Sequence, residues 1–181
     1  FDSFLGWASI VLADFNEMDA HLVDTKVFFE YQASLHEMQE WAQEDSSTPL
    51  IKNHLNFWKR LPLLYERLND QLYNQQKGML GMLFREAVAN LEHYTQGTDK
   101  QHFFVGFNAL NKSESQIIQE FVSREAGSLI WDIDRCFFED GIHSAGKFIR
   151  KYHEEWSLLE VKKNLFLKTT FVSLKISIWL E

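Results

Sequence analysis

Through the first half of the chain, apolar residues recur at helical spacing. Phe4, Ala8, Val11, Leu12 and Phe15 form one stripe, with Asp14, Glu17 and Asp19 on the other side. Val27, Phe28, Tyr31, Leu35, Met38 and Trp41 repeat the pattern in a second helix. The polar run "AQEDSST" reads as a loop, and Thr48-Pro49 as an N-cap followed by proline in the first turn. The helix this opens carries Ile51, Leu55, Trp58 and Leu61, and Leu64, Leu68 and Leu72 continue its stripe. Pro62 is expected to kink or break it, because proline lacks the N–H that the helix interior uses. After Gly78 a further helix shows Leu80, Leu83, Ala87, Leu91 and Tyr94, and "QGTD" ends it.

The pattern changes near Lys100. "HFFVGF" is short, apolar and aromatic, as a buried strand is. Asn111, with Glu114 three residues on, forms a capping box with Asn in place of Ser or Thr, and Ile117, Ile118, Phe121 and Val122 give the helix its inner face. Gly127 stands just past that helix, and "SLIWDID" reads as a second strand. "GIHSAGKFIRKYHEEW" is helical, with Ile142, Ala145, Phe148, Ile149, Tyr152 and Trp156 facing in, and "KISIWL" alternates as a third strand. Strand, helix, strand, helix, strand implies parallel pairing through right-handed crossovers. The expected class is mainly α with a small parallel α/β part. A helical subdomain over 1–98 packs on a partial three-stranded βαβ layer over 99–181.

Composition narrows the function classes. The chain has 181 residues, 45% of them apolar and 15% aromatic, which is enough to bury a sizeable core. No run approaches the ~20 apolar residues that span a bilayer, and no signal-peptide pattern is visible. Cys136 is the one cysteine and forms no internal disulfide, which points to a cytoplasmic home. The formal net charge of −8 argues against a free-standing nucleic-acid binder. Charge is also uneven. From Phe1 to Asp45, Lys26 faces ten acids, whereas Asp140 to Glu181 holds seven bases and five acids. The acidic third reads as a solvated face. Residue 1 is Phe, and the chain opens in a helical pattern and closes on "KISIWLE". It is therefore expected to be an internal segment of a longer protein, with self-association at the exposed sheet edge.

Candidate chemistry is sparse. The strand-to-helix turn after "HFFV" has the shape that many α/β proteins give to phosphate, but no Gly-rich phosphate loop is present. Asp132 and Asp134 share one side of the "WDID" strand, where two carboxylates can hold a divalent cation or cap the next turn. Glu160 and Lys162 match the second half of a PD-(D/E)XK nuclease core, although a helical pattern precedes them where that core has a hairpin. The seven histidines are scattered and make no zinc spacing with Cys136. Two further readings stay open. One is a metal nuclease using Asp132 or Asp134 with Glu160 and Lys162. The other is a helical interaction module with no nucleic-acid role.

The segments "WASIVLADFNEMDAHLVDTKVFFEYQASLHEMQEW", "LNFWKRLPLLYERLNDQL" and "GMLGMLFREAVANL" resemble the helical insertion of AddB-type helicase-nuclease subunits, in the form found in Bacteroidetes-like bacteria. "FFVGFNALNKSESQIIQEF", "SLIWDID" and "HSAGKFIRKY" resemble the stretch that follows it, so the resemblance covers Phe4 to Trp156. It implies part of a first RecA-like domain. In active helicases of that superfamily the strand corresponding to "HFFV" ends in Asp-Glu, the Walker B acids, which position magnesium and the attacking water. Gly106 and Phe107 stand there in this chain, so the resemblance implies a degenerate site. It places a phosphate loop upstream and a nuclease domain downstream in the parent, and leaves this segment with no cofactor and no catalysis. It further implies a scaffolding segment of a double-strand-break-repair subunit, a helicase partner subunit, and DNA contacted through the parent. Lys147, Arg150 and Lys151, with Lys162 and Lys163, are the candidate backbone contacts, because they sit in the basic third.

Overall fold

A computed structural model describes residues 2–42, 49–96, 100–131 and 133–156. The elements are α1 (Asp2–Ala20), α2 (Thr25–Ala42), α3 (Pro49–Asn74), α4 (Leu80–Ala89), α5 (Leu91–Thr95), β1 (His102–Val105), α6 (Lys112–Ser123), β2 (Gly127–Ile130), α7 (Arg135–Glu139) and α8 (Lys147–Glu155). A single 3-10 turn, Ser144–Gly146, precedes α8. The protein is mainly helical with a small parallel α/β part. It divides into two compact units, one formed by Phe1–Asn90 with Asn111–Glu114, the other by Leu91–Leu110 with Ser115–Glu181.

The first unit is helical. Its core is Phe15, Met18, Phe29, Leu61 and Tyr65, contributed by α1, α2 and α3. The rings pack edge to face, with Phe15 and Tyr65 centroids 5.1 Å apart at 79° and Phe15 and Phe29 6.4 Å apart at 90°. α1 ends without glycine. Leu22 takes a φ of 53°, and the amides of Leu22 and Val23 donate to the carbonyls of Asp19 and Met18. That is a Schellman closure with leucine in the left-handed position. Asp24 then starts α2 by accepting from the Val27 amide at 3.0 Å. Ser113 donates to the carbonyl of Ala20 at 2.7 Å, one of the orphan groups at the end of α1.

Several faces differ from the sequence expectation. Leu12, Val27, Tyr31, Leu64, Leu80, Leu83 and Tyr94 are exposed. These helices carry apolar residues on more than one face, so spacing alone does not select the buried one. Glycine selects it in α4. Gly81 lies against α1 so closely that a Cβ would collide with the carbonyl of Asn16, and the Gly81 amide donates to Asn16 Oδ1 at 2.7 Å. The core therefore receives the Gly81–Arg85 face rather than Leu80 and Leu83. α3 also runs through Pro62 without a break. Leu61 and Tyr65, buried on either side of it, hold the helix together across the lost hydrogen bond. The helix after Gly78 stops at Asn90, whose side chain turns back onto the Glu86 carbonyl at 2.9 Å, and α5 starts anew.

The second unit contains β1 and β2, which pair in parallel with His102 opposite Gly127 and Val105 opposite Ile130. α6 links them. Ile118, Val122, Leu129, Tyr152 and Trp156 form the core, with Phe104, Leu110 and Trp131 packed on it. Gly127 lets α6 pack closely on β1: a Cβ there would stand 3.0 Å from both the Phe104 ring and Phe121 Cβ, so a neighbour would have to shift by a few tenths of an ångström. Among the described residues the sheet has two strands, not three. The expected third strand, "KISIWL", lies outside the described residues. β2 ends at Ile130 instead of running through "WDID", and α7 follows. The expected long helix from Gly141 shortens to α8, which leaves Ile142 96% exposed and Phe148 partly so.

Candidate functional site

The turn after β1 is closed by glycine. Gly106 has a φ of 76°, and its amide donates to the carbonyl of Ile130 at 3.1 Å, extending the ladder by one bond. That φ favours glycine, while open space surrounds the position of a Cβ, so conformation and not crowding sets the requirement. Phe107 is 42% exposed. Neither residue brings a carboxylate to the end of the strand.

The N-terminus of α6, where a phosphate would be held, is filled by the chain itself. Asn111 Oδ1 accepts from the Glu114 amide at 2.8 Å, and Glu114 Oε2 accepts from the Asn111 amide at 2.9 Å. This is the reciprocal capping box expected from the sequence. It uses donors that an anion would otherwise take.

Asp134 is the N-cap of α7, accepting from the Cys136 amide at 3.0 Å. That bond holds its carboxyl below the usual carboxylate range, and the exposed Cys136 thiol beside it is pushed up by the same carboxylate. Asp134 thus takes the capping role. Asp132, Glu160, Lys162 and Lys163 lie outside the described residues. Among the described residues, no group of three or more His, Cys, Asp or Glu side chains is placed to hold a metal.

The three basic candidates of α8 have different surroundings. Lys147 is exposed, with its ammonium 6.0 Å from the centre of the Phe148 ring. Lys151 is exposed and faces Glu155 one turn on, at 3.8 Å. Arg150 is turned inward. Nη1 donates to the carbonyl of Phe137 at 2.8 Å and Nη2 to that of His143 at 2.7 Å, with longer bonds to Phe138 and Gly141 at 3.4 Å. One guanidinium therefore ties together α7, the following loop and α8. Gly146 makes this possible, since a Cβ there would overlap Arg150 Nη1 and lie 2.5 Å from the Phe137 carbonyl. Arg150, a candidate backbone contact from the sequence, thus has its guanidinium engaged by four carbonyls of its own chain. Spacing alone cannot show that a side chain folds back onto backbone.

A polar cluster in the first unit was also missed. Asp19 is fully buried, rather than on the solvated face expected for it. Its Oδ1 accepts from the Tyr65 hydroxyl at 2.6 Å and from Arg85 Nε at 2.7 Å, while Oδ2 is buried without a partner. Arg85 Nη2 also donates to the carbonyls of Val23 at 2.8 Å and Met18 at 3.2 Å, satisfying the C-terminal turn of α1. Burial and the bond to Asp19 push the Tyr65 phenol up to about 12. A signal for this existed in the sequence. Asp19 lies four residues beyond Phe15, on the same inward stripe, and Arg85 lies four beyond Gly81.

No protein-family model, curated protein or solved structure matches the chain. No described helix is long and apolar enough to cross a membrane. The described residues form a mainly helical protein with a small parallel βαβ part whose helix is capped by its own side chains.

Proposed function

We propose that this chain is a non-catalytic scaffolding segment of a cytoplasmic helicase-nuclease subunit in double-strand-break repair, packing against a helicase partner subunit and lining part of a DNA channel. One observation carries the non-catalytic half of the reading. Gly106, with φ 76°, stands at the position where the resemblance puts an acid, and the N-terminus of α6 is capped by Asn111 and Glu114. Such a unit positions neighbours without turning over nucleotide or holding a cofactor. Phosphate contact then falls to Lys147 and Lys151, because Arg150 is committed to backbone carbonyls. Phosphate contacts need charge near the backbone without fixed spacing, which two exposed lysines on one helix supply.

Two measurements test this. Calorimetry with ATP and magnesium is expected to show no binding at micromolar affinity, and binding there overturns the non-catalytic half. Association with a DNA duplex is expected to be salt-dependent and to weaken in Lys147→Glu/Lys151→Glu. A chain that ignores DNA at low salt, or a variant that binds as wild type, refutes the DNA-channel half.

A further inference from the structure

The outer edge of β2 carries peptide groups that need partners. In a parallel pair, alternate residues of each strand bond across the ladder. His102 and Gly106 donate to the carbonyls of Ala126 and Ile130, and His102 lies opposite Gly127 in the register. The ladder therefore uses the peptide groups of Ser128 and Ile130, while those of Gly127 and Leu129 point away from β1. Both of these residues are buried, with Leu129 only 6% exposed. Among the described residues, no backbone group outside the ladder bonds to them. Buried peptide groups left unmet are costly, so a strand in this position needs a second neighbour. The outward-pointing residues of β1 differ. Phe103 and Val105 are 64% and 51% exposed, and water reaches that edge.

The helices select the segment that fits. Ile118 and Val122 of α6 and Tyr152 of α8 share one core with Leu129, and Phe104 packs on it, so α6 and α8 cover the same face of the sheet. Crossovers between parallel strands are right-handed. With α6 on that face the chain steps from β1 to β2. A second right-handed crossover whose helix covers the same face steps in the same direction, so a strand following α8 lies beside β2 and not beside β1. We propose that "KISIWL", residues 175–180, occupies the outer edge of β2 as a parallel strand and leaves β2 in the centre of the sheet. Residues 157–174 give ample reach, at ~3.3 Å each when extended. The alternation fits as well. Ile176, Ile178 and Leu180 join Leu129 beneath the helices, and Ser177 stands on the open face beside Ser128, with its N–H and C=O turned to β2. The sequence pattern alone expects a third strand without choosing an edge, and the choice does not depend on the function proposed above.

Two measurements on the whole 181-residue chain test this. In the wild type, the Leu129 amide is expected to exchange with deuterium as slowly as the Phe104 amide, which donates within the β1–β2 ladder. Ser177→Pro removes the N–H that faces β2 and is expected to speed Leu129 exchange at least tenfold while Phe104 exchange stays as in the wild type. Ser177→Ala keeps that N–H and is expected to change neither. The second measurement is oxidative cross-linking in a Cys136→Ser background. Ser128→Cys is combined in turn with Lys175→Cys, Ser177→Cys or Trp179→Cys, and one of these pairs is expected to close within a single chain. Phe103→Cys is expected to close with none of them, because β2 between the strands holds them ~10 Å apart. The cross-links need no proline, so they decide the matter if Ser177→Pro loses the whole sheet. A Leu129 amide that exchanges freely in the wild type, protection that Ser177→Pro leaves intact, closure with Phe103→Cys instead of Ser128→Cys, or cross-links formed only between chains would each overturn the proposal.

Discussion

Replacing Arg85 with methionine removes the charged partner of a fully buried carboxylate. The stem volume stays nearly the same, and three hydrogen bonds go: those to Asp19 Oδ1, Val23 O and Met18 O. Asp19 would keep only the bond from Tyr65, at 2.6 Å, with Oδ2 already unpartnered. Breaking a pair that is buried on both sides typically costs about 3–5 kcal/mol, because a charge is left in a poor solvent. The Arg85 side chain is 35% exposed, against 0% for Asp19, so water already screens one end of the pair. The expected loss is therefore lower, about 2–3 kcal/mol. The reasoning makes a sharper claim through a second change. Asp19→Asn removes the charge while keeping shape and one acceptor, so in the Arg85→Met background it should restore more than half of the loss. Urea denaturation of wild type, both single variants and the double variant gives the coupling directly. Additive costs, with coupling below about 0.5 kcal/mol, would show that Arg85 contributes by packing and not by compensating the buried charge.

Gly106→Ala is expected to cost about 1 kcal/mol in thermal melts, because its φ of 76° is unfavourable for a Cβ, and equal midpoints would remove the constraint. Gly146→Ala should cost more, about 1–3 kcal/mol, since the new methyl meets both Arg150 and a backbone carbonyl; a loss no greater than that of Gly106→Ala would refute the Arg150 packing. Asn111→Ala should lose about 1 kcal/mol and Glu114→Ala somewhat less, and if neither changes the melt the capping box is not contributing. For Tyr65 the sign is set by a phenol raised from 10.0 to about 12 in the folded chain. Its contribution is complete below pH 10 and is lost as the pH rises through 12, so the stability difference between wild type and Tyr65→Phe should shrink across that window. A difference that stays constant there would place the phenol in an ordinary environment.

Local rules were readable in the residues because they act within a few positions. The Asn111–Glu114 box needs only two side chains three residues apart. Gly106 marks its own backbone requirement. The apolar runs "HFFVGF" and "SLIWDID" around a capped helix implied parallel pairing, and the helical periods of the first half located four of the five helices described there. None of these depends on what lies across the core.

What spacing could not decide was which face of each helix turns inward. Leu80 and Leu83 looked like core, yet Gly81 admits the backbone of α1, and so Arg85 reaches Asp19. Asp19 looked solvated because it is charged, but partners more than forty positions away make its burial tolerable. Arg150 looked available until α7 and the loop after it offered carbonyls to its guanidinium. A sequence states which groups need partners, and where they lie close along the chain it also names them. Where partners are distant, only the packed chain brings them together, because burial makes an unmet polar group costly and forces the long-range match.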